Sequence, residues 1–244
     1  MKLPKYLNIK NYLAYCRYLW NRRYKRSYAQ TGEDLIIDSA LKMSGIVTPS
    51  YLDIGTYHPI YSNNTYLFYR RGSRGVCIEP NPEMFRIIKK KRKNDVCLNV
   101  GISSTTNDSA NYYVMTSKFL NTFNKEGADE AVANDKLKTR QKIEQVIKIP
   151  LVTVNSILEK YLPNGVDILS VDAEGYDISI LTSLDFNRFH PKVICVETLR
   201  YDADGTLQKN SEINEFLTGQ GYSLYADTCV NSIFLKNGWE RLTR

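Results

Sequence analysis

The stretch Tyr51-Leu-Asp-Ile-Gly-Thr-Tyr-His-Pro59 decides the fold class of this 244-residue chain. It begins as a short apolar strand that ends in an acid, Asp53, two positions before Gly55. A second stretch, Gly75-Val-Cys-Ile-Glu-Pro-Asn-Pro82, has the same form and ends its strand at Glu79. Open α/β sheets bind ligands just beyond the carboxyl ends of their strands, where glycine lets the backbone approach closely. The two stretches therefore predict parallel strands with a ligand site at their carboxyl edge.

The residues after these strands favour one class of cofactor. Glu79 is suited to accept hydrogen bonds from the two hydroxyls of a ribose. Gly55 is followed by Thr-Tyr-His-Pro, so the Gly-x-Gly-x-x-Gly pattern that cradles the pyrophosphate of NAD or FAD is absent. S-adenosylmethionine carries a ribose and a sulfonium but no phosphate, and it fits this pattern. Two alternatives stay open: a nicotinamide-dependent oxidoreductase of the same fold, and a plain crossover in which Gly55 eases a turn and Glu79 is a surface cap.

The composition is that of a globular protein from a reducing compartment. Hydrophobic residues make up 43% of the chain, and no apolar run approaches the roughly 20 residues that span a bilayer. The five cysteines show no paired spacing, and Cys77, Cys97 and Cys195 lie within apolar strand patterns. The sequence therefore predicts a cytoplasmic protein with no secretory signal and no zinc site built from cysteines.

The net charge of +7 is concentrated in residues 1–26, which are rich in lysine and arginine and contain no acid. We predict that this segment is a basic, aromatic helical extension and that residues 27–244 form one α/β domain. The extension is either an interfacial helix, resting on the inner face of an anionic membrane or on a partner protein, or a helix packed on its own domain. No nucleic-acid-binding motif accompanies the charge, so no nucleic-acid partner is predicted. A non-catalytic membrane- or glycan-associated adaptor with a vestigial cofactor pocket remains an alternative function.

Strand and helix patterns alternate along most of the chain after residue 26. Five strands are predicted to alternate with helices, and two final strands are predicted to pair antiparallel. The predicted strands are 50–54, 75–78, 96–100, 166–171, 193–196, 223–226 and 232–235. This pattern predicts a mostly parallel sheet covered by helices on both faces.

One segment, residues 117–145, is polar and has little apolar periodicity of its own. Helical patches are predicted at 126–133 and 136–145, between additional β segments at 110–115 and 146–152. The segment is predicted to be a mobile lid over the site, with an ordinary exposed connection as the alternative.

Acids end four of the predicted strands: Asp53, Glu79, Asp172 and Glu197. Carboxylates brought close together raise one another's pKa, so a cation is needed to offset the repulsion. A sulfonium, a divalent metal, or basic side chains from the segment 117–145 would serve. The alternative, in which such acids cap the following helices, is open for Glu174 and Asp177.

Further motifs follow in a consistent order along residues 27–235. They are Gln30-x-Gly-Glu-Asp34, the two stretches quoted first, Ser62-Asn-Asn-Thr65, Phe68-Tyr69, Asn99-Val-Gly-Ile-Ser103, Pro150-Leu-Val-Thr153 and Val171-Asp-Ala-Glu-Gly175. Taken together they resemble the FkbM family of S-adenosylmethionine-dependent methyltransferases, apart from Thr56, where relatives commonly have alanine. The resemblance implies the Rossmann-like class I methyltransferase fold: a seven-stranded, mostly parallel sheet with one antiparallel strand. It also implies O-methylation of small molecules and sugars, and the His-Pro and Ser-Asn-Asn-Thr variant resembles members associated with bacterial surface-polysaccharide or glycolipid synthesis.

The resemblance also implies which residues bind the cofactor. Asp53 and Gly55 would approach its methionine part, and Glu79 would bind the ribose hydroxyls. Asn81 and Pro82 would border the adenine, and Asn99 to Ile102, including Gly101, would lie near the same place. Gln30 and Glu33 would close over the methionine amino group.

Two residues are candidates for the base that a sugar or glycan acceptor requires, because a hydroxyl is a poor nucleophile until its proton is removed. His58 follows the cofactor loop and titrates near neutrality, and Asp172 begins the acceptor side. In a metal-dependent variant, Asp172 and Glu197 would hold Mg²⁺ beside the acceptor hydroxyl, although the sequence shows no third ligand. Nothing in the sequence specifies an oligomeric state.

Overall fold

The computed structural model describes residues 25–104, 109–133, 140–201 and 207–239. The predicted basic extension, residues 1–26, lies outside these ranges except for its last two positions. Within the described ranges, no helix combines the length and the apolar character that crossing a membrane requires.

The described chain alternates strands and helices. The strands are β1 (Tyr51–Ile54), β2 (Gly75–Ile78), β3 (Val96–Leu98), β4 (Gly101–Ile102), β5 (Ser109–Met115), β6 (Ile143–Val152), β7 (Ile168–Val171), β8 (Val193–Glu197), β9 (Leu199–Tyr201), β10 (Leu207–Lys209), β11 (Tyr222–Asp227) and β12 (Asn231–Lys236). The helices are α1 (Glu33–Met43), α2 (Tyr66–Arg70), α3 (Pro82–Lys91), α4 (Lys125–Ala133), α5 (Val154–Tyr161), α6 (Asp177–Ser183) and α7 (Ser211–Gly219).

Seven strands form the central sheet, in the order β11-β12-β8-β7-β1-β2-β3. β1 pairs parallel with both β2 and β7, and β12 pairs antiparallel with β8 and β11. β12 is therefore the one strand of this sheet that runs against the others. The predicted fold class, a mostly parallel seven-stranded sheet with one antiparallel strand, is confirmed.

The strands at the centre of the sheet are buried on both faces, as parallel strands covered by helices must be. Every residue of β1, β2 and β7 is buried. Alternate side chains enter two separate cores: Leu52 and Ile54 pack with α5, α6 and α7, whereas Tyr51 packs with α1, α2 and α3. The helices are placed on both faces, as the alternating pattern predicts.

A second sheet is built from the region that the sequence marks as an insertion. β4, β6 and β5 form a three-stranded sheet in which β5 and β6 pair antiparallel. The strand predicted at 96–100 is therefore wrong at its end: β3 stops at Leu98 and the chain enters the second sheet at Gly101. The helix predicted at 136–145 is also wrong where it is described, because β6 begins at Ile143. Cross-strand pairing with β5 outweighs the weak helical pattern of these polar residues.

Sequence patterns gave no sign of β9 and β10, an antiparallel pair that follows β8 directly. Each strand is three residues long, and short strands carry too little alternation to be recognised. The pair leaves the carboxyl end of β8, so it lies at the same edge of the sheet as the strand-end acids.

Candidate active site

The sheet order brings the four predicted strand-end acids to one edge. β1 lies between β2 and β7, and β8 lies next to β7, so Asp53, Glu79, Asp172 and Glu197 come from four neighbouring strands. The four carboxylates interact: burial first, and then Glu197, Asp177, Asp53 and Glu79, raise the pKa of Asp172 well above its usual range. None of the described basic side chains forms an ion pair with Glu79, Asp172 or Glu197.

Glu79 is the acid held most firmly by backbone groups. One carboxylate oxygen accepts a hydrogen bond from the N–H of Tyr57 at 2.8 Å, and the other accepts one from the N–H of Asn81 at 2.8 Å. Burial raises the pKa of Glu79 to about 7, partly offset by these two bonds. Each oxygen retains a lone pair, so the carboxylate can still accept hydrogen bonds from a ligand that carries two hydroxyls.

Asn81 is the N-cap residue of α3, and one polar group of its side chain is left without a partner among the described residues. Its Oδ1 accepts hydrogen bonds from the N–H groups of Glu83 and Met84, which caps the helix. Its Nδ2 is buried and has no hydrogen-bond partner within the described part of the chain. Because buried polar groups are rarely left unpaired, this amide next to Glu79 fits a ligand that offers an acceptor atom, such as a ring nitrogen of adenine.

Asn99 and Gly101 support the wall of the site. The Asn99 amide donates to the carbonyls of Glu79 and Pro80, at 2.8 and 2.7 Å, and so fixes the turn after β2. The ring of Phe123 occupies the space that a side chain at position 101 would need: a Cβ on Gly101 would lie 2.4 Å from Cζ of Phe123. The predicted cofactor contacts of both residues stay predictions.

Asp53 faces a buried polar network. Its Oδ2 accepts hydrogen bonds from Thr65 at 2.8 Å and from Asn63 at 3.2 Å. The fully buried Arg92 donates to Thr65 and Asn63 in turn, and it pairs with Asp95 at 2.7 Å. Asp53 therefore fixes the loop after β1 from below, and its predicted contact with the methionine part of the cofactor stays a prediction.

Arg92 lies in the basic run Lys89 to Lys93 but is not a solvated charge at the end of the helix. The three lysines before it do occupy the last turn of α3, but Arg92 is 0% exposed. Its guanidinium also donates to the carbonyl of Pro59 and lies over the ring of Tyr69, with 4.6 Å to the centroid. Tyrosines spaced along the loop and α2 were the only sequence signal for this buried cation.

The two residues predicted to close over the methionine end lie in different environments. Gln30 is exposed. Glu33 is fully buried at the start of α1, where its carboxylate accepts hydrogen bonds from Thr31, from Thr228 at 2.7 Å and from Asn231 at 2.9 Å. Burial raises the pKa of Glu33, but these hydrogen bonds outweigh it and lower the pKa overall. Glu33 thus links α1 to β12. Gln30 has an exposed side chain that is available to a ligand.

His58 stabilises the turn that follows the cofactor loop. Its Nδ1 accepts hydrogen bonds from the N–H groups of Ile60 at 3.1 Å and Tyr61 at 2.9 Å. Burial lowers the pKa of His58, so the ring is neutral near pH 7 and carries its proton on Nε2. These contacts disfavour His58 as a proton acceptor, because the nitrogen without a proton is already engaged.

Asp172 and Asp177 differ although they lie in one turn. Both oxygens of Asp177 accept backbone hydrogen bonds, from Ala173 at 3.0 Å and Gly175 at 3.2 Å. Asp177 therefore shapes the turn before α6, as the capping alternative held. Asp172 is partly exposed, and its side chain has no hydrogen-bond partner among the contacts of the described residues, which leaves it available to a substrate.

The described part of the structure gives no support to the predicted Mg²⁺ pair, Asp172 and Glu197. Burial and then Asp177 raise the pKa of Glu197 to about 7. Across the described ranges, no group of three His, Cys, Asp or Glu side chains converges in a way that would hold a metal. Mg²⁺ takes oxygen ligands in octahedral geometry and often keeps several waters, so the Asp172 and Glu197 pair stays a prediction that chelation tests.

Several aromatic residues at this edge had no functional reading in the sequence. The ring of Phe119 lies against that of Tyr57, with centroids 4.3 Å apart. The ring of Phe123 contacts Tyr112 at 4.7 Å and lies near Tyr176 at 6.5 Å. Phe119 and Phe123 belong to the segment 117–145, which contacts Tyr57 and Tyr176 at the carboxyl edge. Its predicted role as a mobile lid stays a prediction.

Comparisons with known proteins identify the family of this chain. The sequence profile described as "Methyltransferase FkbM domain" matches residues 53–224. A search of curated proteins gave no significant match. Solved structures with a distant likeness include a TehB-like SAM-dependent methyltransferase from Corynebacterium glutamicum, at 12% identity and a TM-score of 0.42, covering 93% of this chain and 97% of that one. Another is a methyltransferase from Geobacter sulfurreducens, at 12% identity and a TM-score of 0.43, covering 96% of this chain and 90% of that one.

The strand order and the acid-lined edge define a Rossmann-like α/β protein of the class I methyltransferase type. The family profile matches most of the chain, from the end of β1 to β11. The chain therefore belongs to the FkbM family of S-adenosylmethionine-dependent methyltransferases, and the recognition made from its motifs is confirmed.

Proposed function

We propose that this methyltransferase O-methylates a hydroxyl of a sugar or glycan, with S-adenosylmethionine as the methyl donor. The observation that carries the cofactor assignment is the arrangement at the end of β2. Glu79 is held by two backbone N–H groups and lies next to an asparagine whose buried Nδ2 has no partner among the described residues. This pair supplies acceptors for two ribose hydroxyls and a donor for a base nitrogen.

The other end of the cofactor lies towards β1 and β7 in this proposal. Its sulfonium offsets the repulsion among Asp172, Glu197 and Glu79, which raises their pKa values when no cation is present. Exposed Gln30 reaches the methionine amino group, and buried Glu33 holds the segment that carries Gln30 in place.

Asp172 is the proposed general base. The cofactor supplies an activated methyl group, whose carbon forms a bond to the acceptor oxygen as its bond to sulfur breaks. Asp172 takes the proton of the acceptor hydroxyl, since it is partly exposed and its carboxylate has no hydrogen-bond donor among the contacts of the described residues. His58, whose Nδ1 is engaged, offers an Nε2–H donor to the acceptor. Alignment of the two reactants supplies most of the acceleration.

Calorimetry separates this proposal from an oxidoreductase. S-adenosylhomocysteine should bind in the micromolar range, and Glu79→Ala should weaken binding about tenfold or more, since hydrogen bonds to a charged group contribute about 1.5–3 kcal/mol. NAD should show no binding. Binding of NAD in preference to S-adenosylhomocysteine, or unchanged affinity in Glu79→Ala, would contradict the assignment.

Acceptor use is tested with cofactor labelled in its methyl group. Free sugars, methyl glycosides, nucleotide sugars and lipid-linked oligosaccharides are offered to the full chain, and labelled product is analysed by mass spectrometry for an added O-methyl group. A role in surface-polysaccharide or glycolipid synthesis gains support if a lipid-linked acceptor is methylated. Binding of S-adenosylhomocysteine together with no methylation of any acceptor in this panel would contradict the sugar proposal.

The membrane role of residues 1–26 is a separate proposal from sequence. Their positive charge and aromatic content favour contact with anionic lipids. The full chain and a chain that begins at residue 27 are sedimented with phosphatidylglycerol vesicles. Equal sedimentation of both would exclude the extension as a membrane contact.

A further inference from the structure

Five aromatic side chains form a wall over the acid-lined edge: Tyr57, Tyr112, Phe119, Phe123 and Tyr176. Phe119, from the turn after β5, lies against Tyr57, and Tyr57 donates its backbone N–H to Glu79. Phe123 lies on Gly101 and approaches Tyr176, which follows β7. The wall therefore runs from the loop after β1, across the end of β3, to the loop after β7.

Two members of this wall leave aromatic surface open to solvent. Phe119 is 55% exposed and Tyr176 is 37% exposed. Exposed aromatic rings grouped beside polar groups in a functional edge are typical of ligand-binding surfaces. Tyr57 has a positive φ of 53°, a conformation that is rare for a bulky residue. Strain of this kind is retained most often where a side chain must take a particular direction at a functional site.

Tyr112 places a hydroxyl within the same wall. Its ring is 5% exposed and packs against Phe123. Burial raises the pKa of Tyr112, and the carboxylates of Glu79 and Glu174 raise it further, whereas a hydrogen bond with Asn121 lowers it. The Tyr112 ring therefore lies near the carboxylates of Glu79 and Glu174.

The charge of this edge restricts what can dock there. Asp172, Glu174 and Glu197 lie along it, and within the described ranges no lysine or arginine pairs with them. A phosphate placed here would meet like charge with no compensating cation, which costs several kcal/mol at short range. A neutral molecule rich in hydroxyls meets acceptors for its O–H groups instead.

We infer that Phe119, Tyr112 and Tyr176 form the acceptor subsite, and that it takes an uncharged pyranose residue held by its apolar C–H face. A pyranose has one face of C–H groups, which packs on an aromatic ring, and a rim of hydroxyls, which the carboxylates accept. Any phosphate of the acceptor lies outside this subsite. The inference rests on the proposed function, since it names the acceptor of the same site.

The test uses matched pairs of ligands: methyl glycosides of common hexoses and 6-deoxyhexoses, and the 1-phosphates of the same sugars. Binding is followed by ligand-observed saturation-transfer NMR, which requires no turnover, and methylation is followed with labelled cofactor. At least one methyl glycoside should show saturation of its ring protons, and its 1-phosphate should be at least about tenfold poorer in kcat/KM. Equal or better use of the 1-phosphate would overturn the inference, as would the absence of saturation for every glycoside.

Three variants test whether the aromatic wall binds the glycoside. Phe119→Ala and Tyr176→Ala should each raise the KM for the glycoside about tenfold and leave the affinity for S-adenosylhomocysteine unchanged. Tyr225→Ala, an equally exposed aromatic on the far edge strand β11, is the control and should change neither quantity. Unchanged KM in both wall variants would refute the subsite. Loss of S-adenosylhomocysteine binding in the unmodified protein would instead refute the proposed function, and the NMR measurement would still test the wall.

Discussion

Gly55 and Asp172 touch through their backbones: a Cβ on Gly55 would lie 1.7 Å from the carbonyl oxygen of Asp172. Gly55 also has a positive φ of 78°, and its N–H donates to the carbonyl of Ile78 at 3.0 Å. The loop after β1 is therefore packed between the ends of β2 and β7. Gly55 sets the spacing of the two strand ends on which Glu79 and Asp172 are carried.

Gly55→Ala should damage both the fold and cofactor binding. Left-handed backbone costs about 1–2 kcal/mol for alanine, and overpacking adds about 1–3 kcal/mol. Gly45→Ala is the matched control, because Gly45 has a positive φ of 73° but nothing within 4 Å of an added Cβ. Urea unfolding should show a loss of about 2–5 kcal/mol for Gly55→Ala and about 1–2 kcal/mol for the control. Equal losses would show that the contact with Asp172 is unimportant.

Cofactor affinity should depend on pH through Glu79. Its pKa is raised from an ordinary 4.5 to about 7, so the free protein binds more protons than the unfolded chain between these values. This group's contribution to folding stability therefore falls as pH rises from about 4.5 to 7. Ribose hydroxyls donate to the ionised form, so affinity for S-adenosylhomocysteine should rise about five- to tenfold between about pH 6 and pH 8.

Two variants identify the titrating group in calorimetry. Glu79→Gln should bind weakly and lose the pH dependence. Glu197 has a pKa of about 7 as well, so Glu197→Gln is the control that should retain it. If only Glu197→Gln loses the pH dependence of affinity, the titrating group is Glu197 at the end of β8, and the assignment to Glu79 is wrong.

Asp172→Asn should lower kcat without lowering cofactor affinity. Removing a general base typically costs about 10²–10⁴-fold in rate, and the amide preserves the shape of the side chain. Calorimetry with S-adenosylhomocysteine and initial rates with a methylated acceptor measure the two quantities. A variant with near-normal kcat would exclude Asp172 as the base.

His58 gives the complementary test, because its Nδ1 serves two backbone N–H groups. His58→Asn retains an acceptor oxygen at a similar place, whereas His58→Ala does not. The asparagine variant should keep the stability that the alanine variant loses, and its kcat should fall less than about tenfold. If both variants lose kcat equally and more than a hundredfold, His58 is the base after all.

Arg92→Met should destabilise the protein by about 3–5 kcal/mol, the usual cost of leaving a buried charge without its partner. The variant would leave Asp95 unpaired and remove one of the charges that lower the pKa of Asp53. Exposed Lys93 belongs to the same basic run, and Lys93→Met should change stability by less than about 0.5 kcal/mol. Urea unfolding of both measures the difference, and similar values would mean that the network around Arg92 contributes little.

Chelation should leave the activity unchanged. Asp172 and Glu197 lack a third ligand within the described ranges, so rates before and after treatment with EDTA should agree. Activity that is lost with EDTA and restored by Mg²⁺ would revive the metal-dependent variant.

The strand-end motifs were enough to predict the sheet and its acid edge. Four buried residues before Gly55, three of them apolar, and four before Glu79 leave few alternatives to parallel central strands. The second sheet was harder, because β4 has two residues and the pattern of β6 is mostly exposed. Neither provides the alternation by which a strand is recognised in sequence.

The sequence by itself determined the class of cofactor, the family and the edge of the sheet where the chemistry occurs. These depend on short runs in which burial and a terminal acid are adjacent along the chain. Only the tertiary structure decided which acids are free: Glu33, Asp53 and Asp177 are engaged by protein groups, whereas Asp172 is not. It also placed Phe119 and Arg92 at or beneath the site. Hydrogen bonds and ring contacts form between residues distant in sequence, and no local pattern of residue types encodes that pairing.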